Sequence, residues 1–132
     1  MAERLEAGGN AFDAAIGGFF AACVCEPVLI SPGGGGYLLS RKTGGETRVY
    51  DFFVETPGEA RAGELDFFPV LAYFGETSTQ EFHIGSASCA VPGSVAGLFA
   101  IHRDLARLPM SRIVEPAVGL ARRGVPVDAV VA

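Results

Sequence analysis

Two periods of apolar and polar residues succeed one another along this chain, and their order is the first structural statement it makes. Ala2 to Ala7 reads as a short helical stretch that Gly8 or Gly9 stops in the left-handed conformation. Asn10 then offers a side-chain cap, with Asp13 three residues on, and a second helix begins. Its Ala11, Ala14, Ala15, Gly17, Gly18, Ala21 and Ala22 are small on nearly every face, while Phe12, Ile16, Phe19 and Phe20 fill the gaps. That is the composition of a buried helix lying close to its neighbours. Glu26-Pro27 ends it, because proline disfavours the helical conformation of the residue before it.

The period shortens to two in "SPGGGGYLLSRKTGGETRVYDF", Ser31 to Phe52. A glycine-rich entry leads to a strand Tyr37 to Ser40, a turn at Lys42-Thr43-Gly44-Gly45 and a strand Thr47 to Phe52, which together predict a β-hairpin. Four consecutive glycines carry nothing to pack, so they mark backbone that runs tightly against something or takes positive φ. From Pro57 to Ile84 the aromatic and acidic residues Phe67, Phe68, Tyr73, Phe74, Glu76 and Glu81 follow neither period well, and a loop with short strands is expected. "SASCAVPGSVAGLFAIHRDLARLP" predicts a strand Ser86 to Val91, a Pro92-Gly93 turn, Ser94 as a cap and a helix Val95 to Ala106. Ser111 is expected to cap a last helix, Arg112 to Arg123, whose stripe is Ile113, Val114, Ala117, Leu120 and Ala121, with Gly124 closing it. "VDAVVA" then ends without a terminator, as an element cut in mid-course. Helices at both ends and antiparallel strands between them predict one α+β domain over residues 1–132.

Composition narrows the function. At 49% apolar residues, 19% charged and net charge -5, the 132-residue chain has the makings of a core but no electrostatic footprint for nucleic acid or an anionic membrane surface. The Arg41-Lys42 and Arg122-Arg123 pairs read as solvated turns or faces. The 18 glycines are clustered rather than periodic, which excludes a collagen-like repeat or a low-complexity linker. The apolar run Ala14 to Cys25 is too short for a membrane span, which needs about 20 residues. No basic segment with a cleavage site opens the chain, so localisation is unspecified. Three cysteines make no disulfide framework and read as reduced, buried apolar groups.

Candidate chemistry is sparse. His83, Cys89 and His102 have no zinc-site spacing, and no metal or cofactor is expected. The glycine run precedes a strand and lacks the Lys-Ser/Thr of a phosphate loop. Ser94 in "PGSVAG" has Pro92 where a nucleophile elbow needs glycine, so the cap reading is preferred. Cys23 and Cys25 lack an adjacent base. Glu26 and Glu55 are a carboxylate pair only if the fold brings them together. From these residues alone the chain is an α+β piece without a self-contained active site.

Four phrases in order, "GGNAFDAAI", "PGGGGYLL", "ETP" after the second strand, and "VPGSVAGL" followed by "RLPMSRIVEPAVGLARRGVPV", resemble the γ-glutamyltranspeptidase or glutathione hydrolase family across nearly the whole chain. The resemblance implies a partial αββα sandwich of the N-terminal-nucleophile hydrolase type, made by self-cleavage of a precursor. It further implies a nucleophilic threonine at the N-terminus of a small subunit, whose own amine serves as base. This chain resembles only the early part of the large subunit, so it is expected to contain no catalytic residue and to be inactive alone. Its expected partners are the remainder of the parent chain and a γ-glutamyl or other amide small molecule. Uncovered strand edges and apolar faces predict self-association of the piece. The resemblance also implies a substrate-carboxylate-binding arginine just after the strand that here ends "YDFF". That position falls on Phe53, or on Val54 with a slip of one, and Arg61 is the next arginine. Three readings follow: an amidohydrolase with an apolar acyl pocket, a non-catalytic relative kept for assembly, or two phenylalanines packed in the core with substrate held elsewhere.

Overall fold

The computed structural model describes residues 2–58 and 63–127; Arg61 and the "DAVVA" end fall outside the described residues. Two compact units emerge, one made of the chain up to Val54 together with the chain from Pro92 onward, the other of Glu55–Val91. The first unit holds helices α1 (Ala2–Glu6), α2 (Ala11–Cys25), α3 (Ser94–Leu105) and α4 (Met110–Arg123), and the hairpin β1 (Tyr37–Arg41) with β2 (Thr47–Asp51). The second holds the hairpin β3 (Phe68–Phe74) with β4 (Ser78–Ile84) and a 3-10 turn Ser86–Ser88. No described helix is long and apolar enough to cross a membrane.

Gly8, at φ +85°, ends α1 in the conformation that only glycine enters cheaply. Asn10 opens α2: its side chain accepts from the Phe12 and Asp13 backbone N–H groups, and Asp13 answers by accepting from Asn10 N at 2.6 Å. This is the reciprocal capping box expected of that spacing. The Asp13 carboxylate does more than cap. It is fully buried and also accepts from Arg107 N at 3.1 Å and Leu108 N at 3.0 Å, pinning the α3–α4 connection to the start of α2. Burial pushes its pKa up, but the backbone N–H groups of Asn10, Leu108 and Arg107 outweigh that and hold it below the usual carboxylate range.

Ile16, Leu98, Ile101, Leu105 and Ile113 form the core, with Phe12, Phe19, Phe20, Leu38, Tyr50 and Phe52 packed against it. Each fully buried isoleucine contributes about 1.5–3 kcal/mol. Gly17 lets α2 approach α4: a Cβ there would stand 3.1 Å from the Ile113 carbonyl. Asp13, Ala14 and Ile16 of α2 are buried and most of its other residues half-buried, so the small-residue helix is covered less completely than expected. In α4 the stripe is deepest at Ile113 and Ala117, while Ala121 is exposed. Pro116 sits inside α4 and has no N–H for the Arg112 carbonyl; the Arg4 guanidinium of α1 donates to that carbonyl instead.

β1 and β2 pair antiparallel with Tyr37 opposite Asp51 and Leu39 opposite Val49. The turn carries Gly44 at φ +71°, and Gly45 N donates to the Lys42 carbonyl at 3.0 Å. Leu38 and Tyr50 face the core, and Tyr50 Oη donates to Asp104 Oδ2 at 3.2 Å, tying the hairpin to α3.

Several expectations need correction. The segment before Ile84 is a regular hairpin, Phe68 opposite Ile84 and Phe74 opposite Ser78, rather than loop with short strands. Its period was hidden because β3 carries large apolar residues on both faces. Residues 86–91 are no strand: Asp66 accepts from Ser86 N and Ala87 N, which curls the chain into the 3-10 turn and leaves only an isolated bridge between Val91 and Glu55. Ser94 is the first residue of α3 rather than its cap, and Ser111 lies inside α4, whose flanking residue is Pro109.

Candidate substrate site

Three segments meet at the end of β2, and glycines permit the meeting. Gly36 and Phe52 exchange backbone hydrogen bonds at 3.0 and 3.2 Å, extending the β1–β2 ladder one pair past Tyr37. Beyond them Gly35 lies against the Phe53–Val54 peptide, where a Cβ would fall 2.6 Å from Val54 N. Gly93 crosses the Phe52 carbonyl, where a Cβ would stand 2.3 Å away, and Gly97 faces the Phe52 ring at the same distance. Gly34 accepts from Ser94 N at 3.1 Å, which draws Ser94 into the first turn of α3. Within the run, Gly35 packs against the backbone of residues 53–54 and Gly36 against the Phe52 ring, whereas Gly33 and Gly34 have room for a Cβ.

The two phenylalanines divide. Phe52 turns inward against the core. Phe53 turns outward, 51% exposed, and its ring stacks on Tyr37 with centroids 5.5 Å apart and planes 11° from parallel. Asp51 Oδ1 accepts from Phe53 N at 3.1 Å, an Asx-type turn that fixes the backbone there. Val54 is half-buried beside Gly35. Packing of both rings in the core therefore holds for Phe52 and fails for Phe53.

Other candidates scatter. Glu55, His83 and Cys89 belong to the Glu55–Val91 unit, whereas Glu26 and His102 belong to the first, and no group of metal-ligating side chains forms among the described residues. His83 stacks on Phe67 at 4.7 Å and lies 3.8 Å from Glu81. His102 Nε2 meets the Leu108 carbonyl at 2.9 Å, a structural bond across the α3–α4 connection. Burial pushes the Cys23 thiol up, away from a reactive thiolate. Cys25 and Cys89 are exposed, against the expectation that all three are buried. Ser94 Oγ is buried without a hydrogen-bond partner among the described residues. A broad concavity lined by Glu3, Arg4, Arg112 and Glu115 among others shares no residue with the strand end.

Sequence reasoning singled out Phe53 but missed Tyr37. The signal was present: alternation from the inward Leu38 puts Tyr37 on the outer face, and the ladder puts position 53 diagonally across from it.

Comparison with known proteins places the chain in a family. The chain is 36% identical over 124 residues to an Acylase ACY 1 proenzyme of Pseudomonas sp. (strain V22), a match covering 93% of this chain and 22% of that protein. It is 33% identical over 120 residues to the glutathione hydrolase proenzyme of Escherichia coli (strain K12), covering 91% and 20%. The chain thus spans about a fifth of the length of these relatives. A crystal structure of the Bacillus anthracis transpeptidase enzyme CapD superposes with a TM-score of 0.72 at 29% identity, covering 98% of this chain and 37% of that one. The shared fold is the α+β class of the N-terminal-nucleophile hydrolases. The family model described as Gamma-glutamyltranspeptidase matches residues 2–132, and the chain belongs to that family.

Proposed function

We propose that this chain is the early part of the large subunit of an amidohydrolase or acyltransferase of the γ-glutamyltranspeptidase family, one whose acyl pocket has become apolar at Phe53. The nucleophilic threonine and most of the donor-binding groups belong to the remainder of the parent chain, so the piece alone is inactive. Phe53 carries the proposal: its ring is exposed at the end of β2, where the family resemblance implies an arginine for the donor's carboxylate. A phenyl ring cannot replace a bidentate guanidinium. The missing pair costs about 2 kcal/mol of donor binding, roughly a thirtyfold loss for a γ-glutamyl group. Similarity to proteins named acylases as well as glutathione hydrolases supports an amide donor other than glutathione. The exposed apolar residues of β3, Leu71, Tyr73 and Phe74, support the remainder of the parent as the natural partner and self-association of the piece in its absence.

The test is self-cleavage and activity of the full-length parent. Two subunits on a gel, weak γ-glutamyl-anilide turnover, faster turnover of apolar acyl anilides and a gain in γ-glutamyl turnover in Phe53→Arg are expected. An uncleaved, inactive precursor would overturn the proposal in favour of a non-catalytic relative. Rapid γ-glutamyl turnover by the unaltered enzyme would overturn the apolar pocket.

A further inference from the structure

We propose that Tyr37 is a specificity-determining residue, forming with Phe53 a two-ring platform for a flat, uncharged acyl group, so that the donors are amides of aromatic carboxylic acids. This rests on the reading of the strand end as the acyl pocket.

Tyr37 and Phe53 are 62% and 51% exposed, yet their rings are stacked nearly parallel. The core does not require them, since Leu38 and Phe52, their inward-facing neighbours, supply its packing. Their approach follows from the ladder. With Tyr37 opposite Asp51 and Gly36 bonded to Phe52, residues 37 and 53 are diagonal neighbours on one face, a spacing that aromatic side chains bridge. Gly35 lets the backbone of residues 53–54 lie close beneath, and the bond from Phe53 N to Asp51 holds it there. The platform is held before any ligand arrives.

Its charge selects the ligand. The carboxylate beside the rings belongs to Asp51, which disfavours a second carboxylate on the acyl group. Arg41 shares this face but stands four residues along β1, roughly 13 Å away at about 3.3 Å per residue. An aromatic acyl group meets neither difficulty and gains an offset or edge-on contact with the rings.

The experiment compares phenylacetyl-, acetyl- and γ-glutamyl-anilides as donors for the full-length parent and its Tyr37→Ala, Tyr37→Leu and Tyr37→Phe variants. The ratio of kcat/KM for phenylacetyl over acetyl anilide is expected to fall about tenfold in Tyr37→Ala and Tyr37→Leu, through KM, and to return in Tyr37→Phe. An unchanged ratio in the first two variants overturns the inference, as does a loss that Tyr37→Phe fails to restore. Should Tyr37→Ala fail to fold, Tyr37→Leu decides, since it keeps an apolar side chain and removes only the ring. With an enzyme that turns over none of these donors, calorimetry with phenylacetamide decides in the same way: binding weakened about tenfold by Tyr37→Leu supports the platform, and equal or undetectable binding overturns it. A donor switch in Phe53→Arg combined with an unmoved ratio in the Tyr37 variants would sink the Tyr37 inference alone. Rapid γ-glutamyl turnover by the unaltered parent would sink the reading beneath it.

Discussion

Asp13→Ala removes a carboxylate from the point where α2 begins and the α3–α4 connection crosses it. Asp13 is fully buried, and the N–H groups of Asn10, Arg107 and Leu108 donate to its oxygens at 2.6, 3.1 and 3.0 Å. Alanine leaves all three donors without an acceptor. Each buried unsatisfied group costs about 1–3 kcal/mol, and a water entering the vacated polar space recovers part of that. The expected loss is about 3–5 kcal/mol, a large fraction of the 5–15 kcal/mol typical of a whole domain. In equilibrium urea unfolding of the full-length parent, with a slope of about 2 kcal/mol/M, the transition containing this unit should move down by roughly 2 M. Asp13→Asn keeps the shape but points an amide N–H at backbone donors, so it should fall between alanine and the unaltered protein. A midpoint shift below about 0.5 M in Asp13→Ala would refute the claim that this carboxylate joins segments 94 residues apart in sequence.

The same residue sets an acid limit. Its folded pKa lies below its unfolded one, so the stabilisation is present above the ordinary carboxylate value and is lost as pH falls through the lowered folded value. Thermal melts from neutral to acid pH should therefore show a steeper loss for the unaltered protein than for Asp13→Asn. Ser94→Ala should leave stability unchanged or raise it by up to about 1 kcal/mol, because the buried hydroxyl has no partner to lose among the described residues; a loss of that size in urea unfolding would restore the helix-cap role. Gly97→Ala should cost about 2–3 kcal/mol in the same assay, since its methyl would lie 2.3 Å from Phe52 Cβ and ring carbon Cγ.

What could be read directly was local. Gly8 and Gly124 end their helices at φ +85° and +79°, a left-handed preference written in one residue type. The Asn10–Asp13 box and the Tyr37–Asp51 hairpin likewise depend on spacings of three and two, which side-chain reach and strand pleat impose wherever they occur. The β3–β4 hairpin was less legible because Phe68, Leu71, Tyr73 and Phe74 put apolar groups on both faces and erase the alternation. Its remaining signal was Gly75, at φ +73° immediately after Phe74.

The chain by itself therefore determined the four helices and the first hairpin, most of their ends and the family, because these rest on local dihedral preference, short spacings and motif order. Tertiary structure alone decided that Asp13 reaches Arg107 and Leu108, that Arg4 serves the Arg112 carbonyl left by Pro116, that Ser94 enters its helix when Gly34 accepts its N–H, and that Phe53 stacks on Tyr37 while Phe52 fills the core. Each of these depends on which distant backbone group arrives within hydrogen-bonding or van der Waals reach. No local spacing encodes that distance.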